Sequence, residues 1–340
     1  MIAVVTGASG FIGQHLVSAL RAANAEVRVL RRPQSRAPAN AATANAERSW
    51  VVDVLDATEV ARTSIWDGAT HVFHLAGVTR AAREQQFIRA NVTPCANIAA
   101  ALSRRATPPR LLVVSSQAAA GPTPAGAVAR TDAMPAVPIE AYGRSKLAGE
   151  AAAWAWRAAL SITVVRPCAV YGPGDRDFLT VFRQVRRRTA WFAGAPDQAL
   201  SMVYVADLVS CLQQVATHEQ ASSQRWLVAH ESPVTWRSLY GEIARRSGTS
   251  PQYRTVPRAL LGVGARVGDG LGRLTGRTPL LNSQKLALAD ASSWVCDADG
   301  VTRMTGWRAT TSLAVGLEAT HRWYVAAGWL REQSYTRSAR

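Results

Sequence analysis

At 340 residues with 48% apolar side chains, the chain exceeds what one small domain needs and is too apolar for a disordered tail, so one large or two coupled domains are expected. The formal charge is +16, from 39 Lys and Arg against 23 Asp and Glu, yet only Lys146 and Lys285 are lysines. The excess is mainly an arginine-rich composition spread along the chain. Its single run, Arg186-Arg187-Arg188 with Arg183 one turn earlier, comes without a zinc-finger, homeodomain or RNA-recognition signature, which argues against a nucleic-acid partner.

Residues 1–6 (MIAVVT) form a short β-branched strand, GASGFIG a glycine-rich turn, and QHLVSALRAA a helix by the spacing of its apolar residues. Further strands are expected at 26–30, 50–54, 71–75 and 110–115, with a helix over 84–102. A Pro/Gly/Ala-rich loop, a helix over about 142–160 and a strand over 161–166 follow. Fully apolar strands alternating with helices imply a parallel sheet covered on both faces. The expected fold is therefore α/β: a doubly wound Rossmann sheet over 1–168, then a smaller, mainly substrate-binding region over 169–340. Within that region a strand near 201–205, a helix from 206 and a strand at 226–228 are expected, with segments near 203–230 returning to the sheet.

Cys95, Cys168, Cys211 and Cys296 are too widely spaced for a zinc site, and a chain of this size needs no disulfides, so a reducing cytoplasm is the expected compartment. No apolar run approaches the ~18–20 residues that span a bilayer, and no integral membrane association is expected. His15 and His74 lie in apolar sequence and read as structural; no histidine trio has metal-ligand spacing, so no metal is expected.

Gly7, Gly10 and Gly13 stand between the first strand and the first helix, where backbone N–H groups can approach a pyrophosphate at a helix N-terminus. Ser9, Phe11 and Ile12 complete this dinucleotide loop. The second strand ends in Arg31-Arg32, with Arg36 close behind; cations there favour a 2′-phosphate, hence NADP(H) over NAD(H). Asp53, after the third strand and before Val54, is a candidate partner for the adenine amino group or an ordinary turn residue.

Tyr142 and Lys146 are four residues apart, on one face of a helix. An ammonium beside a phenol lowers the phenol pKa toward the range useful for proton transfer. In a chain that uses arginine almost everywhere, a lysine at this position is informative.

With TGASGFIG (6–13), HLAG (74–77), NV (91–92), VSS (114–116), YGRSK (142–146), RPCAVYGPGD (166–175) and VYVADL (203–208) in order, the chain resembles the extended short-chain dehydrogenase/reductases. That group contains nucleotide-sugar epimerases and dehydratases and 3β-hydroxysteroid-dehydrogenase-like enzymes. The resemblance implies that Tyr142 is the general acid/base, that Lys146 tunes it and binds the nicotinamide ribose, and that Ser116 hydrogen-bonds the reacting oxygen. It gives Asn91 a relay or structural role, although Pro94 and Cys95 replace the family's usual Gly-Thr. It places Leu75, Ala76 and Gly77 against the cofactor and Pro167 beside the nicotinamide. Gln117 stands where dehydratases of the group often carry an acid, which disfavours elimination.

Two substrate readings remain. The first is an NADP(H)-dependent alcohol dehydrogenase or ketoreductase for a lipophilic or biosynthetic carbonyl. The second is a nucleotide-sugar epimerase without net cofactor turnover, with Arg183 and Arg186 meeting the diphosphate. A third, of another class, is a non-catalytic cofactor-binding sensor or assembly protein, which intact Ser116, Tyr142 and Lys146 disfavour. The stretch 257–281 places Leu260, Val263, Val267, Leu271 and Leu274 at helical spacing among Arg258, Arg266, Arg273 and Arg277: a lid, a membrane-surface helix or ordinary packing. A homodimer through the helices at 84–102 and 142–160, with Trp154 and Trp156 as contacts, is expected from the resemblance.

Overall fold

A computed structural model describes residues 1–33, 48–275 and 282–331; Arg36 and Arg277 lie outside the described residues. Seven parallel strands form the main sheet: β1 (Ile2–Thr6), β2 (Glu26–Arg31), β3 (Ser49–Val51), β4 (His71–His74), β5 (Arg110–Val114), β6 (Ile162–Pro167) and a late strand, Arg225–Val228. Their order is β3-β2-β1-β4-β5-β6 and then the late strand. This is the doubly wound Rossmann arrangement. The chain reverses its direction of progress across the sheet between β1 and β4, and a ligand crevice forms outside the carboxyl ends of such strands.

The alternating pleat explains the two cores. In β1, Ala3 and Val5 face Leu16, Val17 and Leu20 of helix Phe11–Ala22, whereas Val4 faces the opposite layer with Val72, Ile98, Leu102 and Ile162. A third cluster, built on Phe182, Tyr240, Leu317 and Tyr324, belongs to the later part of the chain. There β7 (Ala169–Tyr171) pairs with β10 (Met202–Tyr204), while β8 (Thr189–Phe192) pairs with β13 (Gln252–Thr255). Strand Arg225–Val228, β11 in chain order, lies beside β6 with Val228 opposite Pro167.

Several boundaries differ from the sequence reading. The helix expected over 84–102 is two, Glu84–Asn91 and Thr93–Ser103, because Pro94 restarts the chain in the first turn of the second. The helix expected to reach 160 ends at Trp154, and the third strand stops at Val51. Helix Arg258–Thr275 packs through Leu261 and Ala265 against Leu286, leaving the apolar residues named from sequence outside that contact. Among the described residues no helix is long and apolar enough to cross a membrane.

Candidate active site

The turn after β1 is shaped by close backbone approach. Gly7 adopts φ +71°, and a Cβ on it would lie 2.7 Å from the Ala76 nitrogen; a Cβ on Gly13 would lie 2.2 Å from the Gly7 carbonyl oxygen. Glycine at these positions therefore lets the helix, the loop and the end of β4 touch. Gly10 caps helix Phe11–Ala22 without a side-chain hydrogen bond, so the loop presents first-turn N–H groups, as a pyrophosphate requires.

This loop lines a cavity of about 520 Å³ shared with Ser9, Arg31, Arg32, Val54, Leu75, Ala76 and Gly77. Arg21, Arg48 and Arg89 also line it; Arg48 is ion-paired with Glu26 at the start of β2, and Arg31 and Arg32 stand where β2 finishes. The cradle, the helix terminus and the cationic end fit a dinucleotide. Arg21 and Arg48 escaped sequence reasoning because arginine is too common in this chain for spacing to single them out.

The second half of the site is carried by helix Ala141–Trp154. Glu140 caps it, its carboxylate accepting hydrogen bonds from the N–H groups of Tyr142 at 2.6 Å and Gly143 at 2.5 Å. A side chain on Gly143 would strike the Ala118 carbonyl oxygen at 2.3 Å, so glycine there brings the helix against the turn that carries Ser116. The Ser116 hydroxyl accepts from the Ala118 N–H at 3.2 Å and lines the same cavity as the Tyr142 phenol. Its neighbour Ser115 turns inward and donates to Glu150 at 2.5 Å, leaving Ser116 as the serine at the cavity.

Lys146 Nζ donates to the Val114 carbonyl at 2.7 Å, and a Cβ on Gly77 would come within 3.9 Å of it. Tyr142, one turn earlier, lines the second cavity. Lys146 itself lines neither cavity but lies beneath Gly77, which lines the first. Burial pushes the Tyr142 phenol up to about 12, the Glu140 and Asp177 charges adding to the rise and the Ser116 hydroxyl opposing it, and burial lowers the Lys146 ammonium. The lowering of Tyr142 expected from the Lys146 charge is not among these influences. His74, held by Thr6 at 2.8 Å, is pushed down to about 3 by burial and stays neutral beside Lys146.

The second cavity, about 640 Å³, has Ser116, Gln117 and Tyr142 in a wall otherwise dominated by Trp191, Phe192, Leu200, Trp236, Leu288 and Trp294. Its charged residues are Arg80, Asp177 and Glu140; Arg80 pairs with Asp177, and Glu140 caps the helix. Arg183 and Arg186 are not in this wall.

A family model described as the NAD dependent epimerase/dehydratase family matches residues 3–229. The chain belongs to that family. It is an NAD(P)-dependent enzyme of the dehydrogenase/reductase or epimerase type. This epimerase/dehydratase-family chain is 29% identical over 334 residues to a ceramide reductase of Caulobacter vibrioides, covering 97% of this chain and 96% of the relative. It is 27% identical over 274 residues to a 4-hydroxy-2-methyl-3-oxo-4-farnesyl-3,4-dihydroquinoline-1-oxide ketoreductase of Stigmatella aurantiaca, with 79% and 80% covered. UDP-glucuronic acid 4-epimerase of Bacillus cereus, solved with NAD, shares the fold at TM-score 0.75 and 18% identity, over 96% of this chain and 99% of that one.

Other residues named from sequence lie apart from the cavities of this family member. Asn91 lines neither; its amide donates to the Val78 carbonyl at 3.1 Å and to Ser145 at 2.9 Å and accepts from the Val78 N–H at 2.8 Å, which makes it a positioning residue. Asp53 accepts from the Leu55 N–H at 3.0 Å, the turn role, while Val54 and Leu55 face the cofactor cavity. Pro167 ends β6 as a buried sheet residue, and the following Cys168 lines the substrate side. Phe11 sits edge-on to His15, and Ile12 packs on the core. Among the described residues, no three His, Cys, Asp or Glu side chains are grouped to hold a metal ion.

Proposed function

We infer that this enzyme is an NADP(H)-dependent oxidoreductase interconverting a secondary alcohol and a ketone on a lipophilic substrate. The observation that carries the reading is the cavity wall: Ser116 and Tyr142 open on a space lined largely by aromatic and aliphatic side chains, with Thr79, Gln198 and Ser201 among its few polar ones. Such a wall suits an apolar body with a single polar reacting group. The charged residues of that wall, Arg80, Asp177 and Glu140, give it no excess of positive charge to meet a nucleotide diphosphate, and Arg183 and Arg186 do not line it. The names of the ceramide reductase and the farnesyl-dihydroquinoline ketoreductase support the same substrate class.

When bound, the nicotinamide supplies or accepts the hydride. Tyr142 Oη gives a proton to the developing alkoxide, or takes it from the alcohol in the reverse direction. Ser116 Oγ orients the substrate oxygen beside that phenol. Lys146 holds the nicotinamide ribose, and its charge favours phenolate at Tyr142. Arg31 and Arg32, where β2 finishes, receive a 2′-phosphate, the reason for NADP(H) over NAD(H).

The deciding test is stoichiometric. Purified enzyme with a long-chain aliphatic ketone is expected to consume NADPH mole for mole with alcohol formed. Epimerisation of UDP-glucose without net cofactor turnover, and no NADPH loss with ketones, would replace this reading by the nucleotide-sugar one. A homodimer through helices Glu84–Asn91 and Ala141–Trp154 belongs to the same proposal, and light scattering of the purified protein checks it.

A further inference from the structure

Helix Arg258–Thr275 has two apolar faces, and its own fold covers one. Leu261 and Ala265 are buried against Leu286, whereas Leu260, Val263, Val267, Leu271 and Leu274 are between 54% and 85% exposed. Their spacing of three and four residues makes a continuous stripe along the 18-residue helix. At 100° per residue, the stripe centre lies about 140° round the helix from the buried face.

The surroundings identify what covers it. Arg254 and Arg266 are exposed along β13 and the helix, and exposed Arg258 pairs with Asp290, in a chain whose formal charge is +16. The Arg254 guanidinium lies 5.7 Å over the exposed Trp191 ring, and Tyr253, also exposed, stacks on Phe192 at 5.9 Å. Trp191 and Phe192 both line the substrate cavity. β13 leads within three residues into the helix, and helix Ser283–Asp290, against which that helix packs, contributes Leu288 and Ala289 to the same cavity wall. Exposed aliphatics, amphipathic aromatics and arginines at the rim of an apolar cavity match the headgroup boundary of an anionic bilayer.

We propose that helix Arg258–Thr275 docks the enzyme on an anionic lipid surface, its Leu/Val stripe entering the headgroup boundary beside the Trp191 rim of the substrate cavity. The helix lies in the interface and does not cross it. Docking there brings the cavity rim to the phase in which a lipophilic substrate resides. The binding itself does not rest on the reaction assigned above, because it is measured without substrate.

The full chain is sedimented with vesicles of phosphatidylcholine and phosphatidylglycerol, and with phosphatidylcholine alone. Binding is expected to the anionic vesicles, to weaken as salt rises, and to fall about tenfold or more in Val267→Asp/Leu271→Asp. Both positions are exposed, so NADPH affinity of that variant is expected to equal that of the parent and reports an intact fold. A Leu271→Cys variant carrying an environment-sensitive dye is expected to shift blue with anionic vesicles; the four native cysteines are all buried. No sedimentation with anionic vesicles, or equal sedimentation by the double variant, overturns the proposal. So does a solution dimer that the double variant abolishes in a chain that ignores vesicles, which assigns the stripe to a second copy.

Discussion

The Lys146 ammonium donates a 2.7 Å hydrogen bond to the carbonyl oxygen of Val114, the last residue of β5 and two positions before Ser116. One bond thus ties helix Ala141–Trp154 to the strand that precedes Ser116. Lys146 is buried, and this carbonyl is the acceptor of its ammonium.

Tyr142→Phe keeps the ring and removes the proton donor. Turnover is expected to fall about 10²–10⁴-fold while NADPH affinity stays within about twofold. Lys146→Met is expected to weaken both turnover and NADPH binding. Steady-state kinetics with fluorescence titration of NADPH separate the two outcomes; unchanged turnover of the phenylalanine variant would remove Tyr142 from the chemistry.

Arg31 and Arg32 at the end of β2 set the cofactor prediction. Arg31→Ala or Arg32→Ala is expected to weaken NADPH binding about tenfold or more, the worth of one charge-assisted hydrogen bond, and to leave NADH nearly unchanged. Parallel titrations with the two cofactors check it. Equal losses for both would assign these arginines to the shared part of the cofactor.

Glu150 lies one turn beyond Lys146 and is fully enclosed. It accepts from Arg166 at 2.6 and 2.9 Å and from Ser115 at 2.5 Å. Glu150→Ala leaves the buried Arg166 guanidinium without its counter-ion, and a loss of about 3–5 kcal/mol is expected in urea unfolding. A near-neutral result would mean that water or another carboxylate replaces the partner.

Asp132 gives a pH signature. Its carboxylate accepts the Leu227 N–H at 2.6 Å, and burial raises its pKa from 3.8 to about 6. Between these values the native state binds more protons than the unfolded chain, so this group's contribution to stability falls as pH rises from about 4 to 6. Asp132→Asn is expected to gain up to about 1–3 kcal/mol relative to the parent at neutral pH, the gain vanishing near pH 4. Urea midpoints across that range give the difference; a pH-independent gap would exclude the carboxyl as its source.

The elements nearest the cofactor were the most legible, because strand, glycine turn and helix follow one another within a single short stretch. The break at Val92 was not, since the apolar spacing continues through Pro94 even though the helix must restart there. Asn91 and Asp53 were visible as polar residues in the right neighbourhoods. Their hydrogen bonds to Val78 and Leu55 show that local backbone groups claim those side chains.

By itself the sequence determined the alternation of strands and helices, the dinucleotide loop and the one-turn pitch of Tyr142 and Lys146, all of which depend on short-range periodicity and spacing. Only the tertiary structure decided that Ser115, beside the serine named from sequence, is taken up by Glu150, that Arg21, Arg48 and Arg89 line the same cavity as Arg31 and Arg32, and that the stripe from Leu260 to Leu274 stays outside the core. Those outcomes depend on which surfaces meet across the fold. Ser115 turns toward Glu150 because a buried carboxylate needs donors, and Leu261 rather than Leu260 is covered because Leu286 lies on that side of the helix.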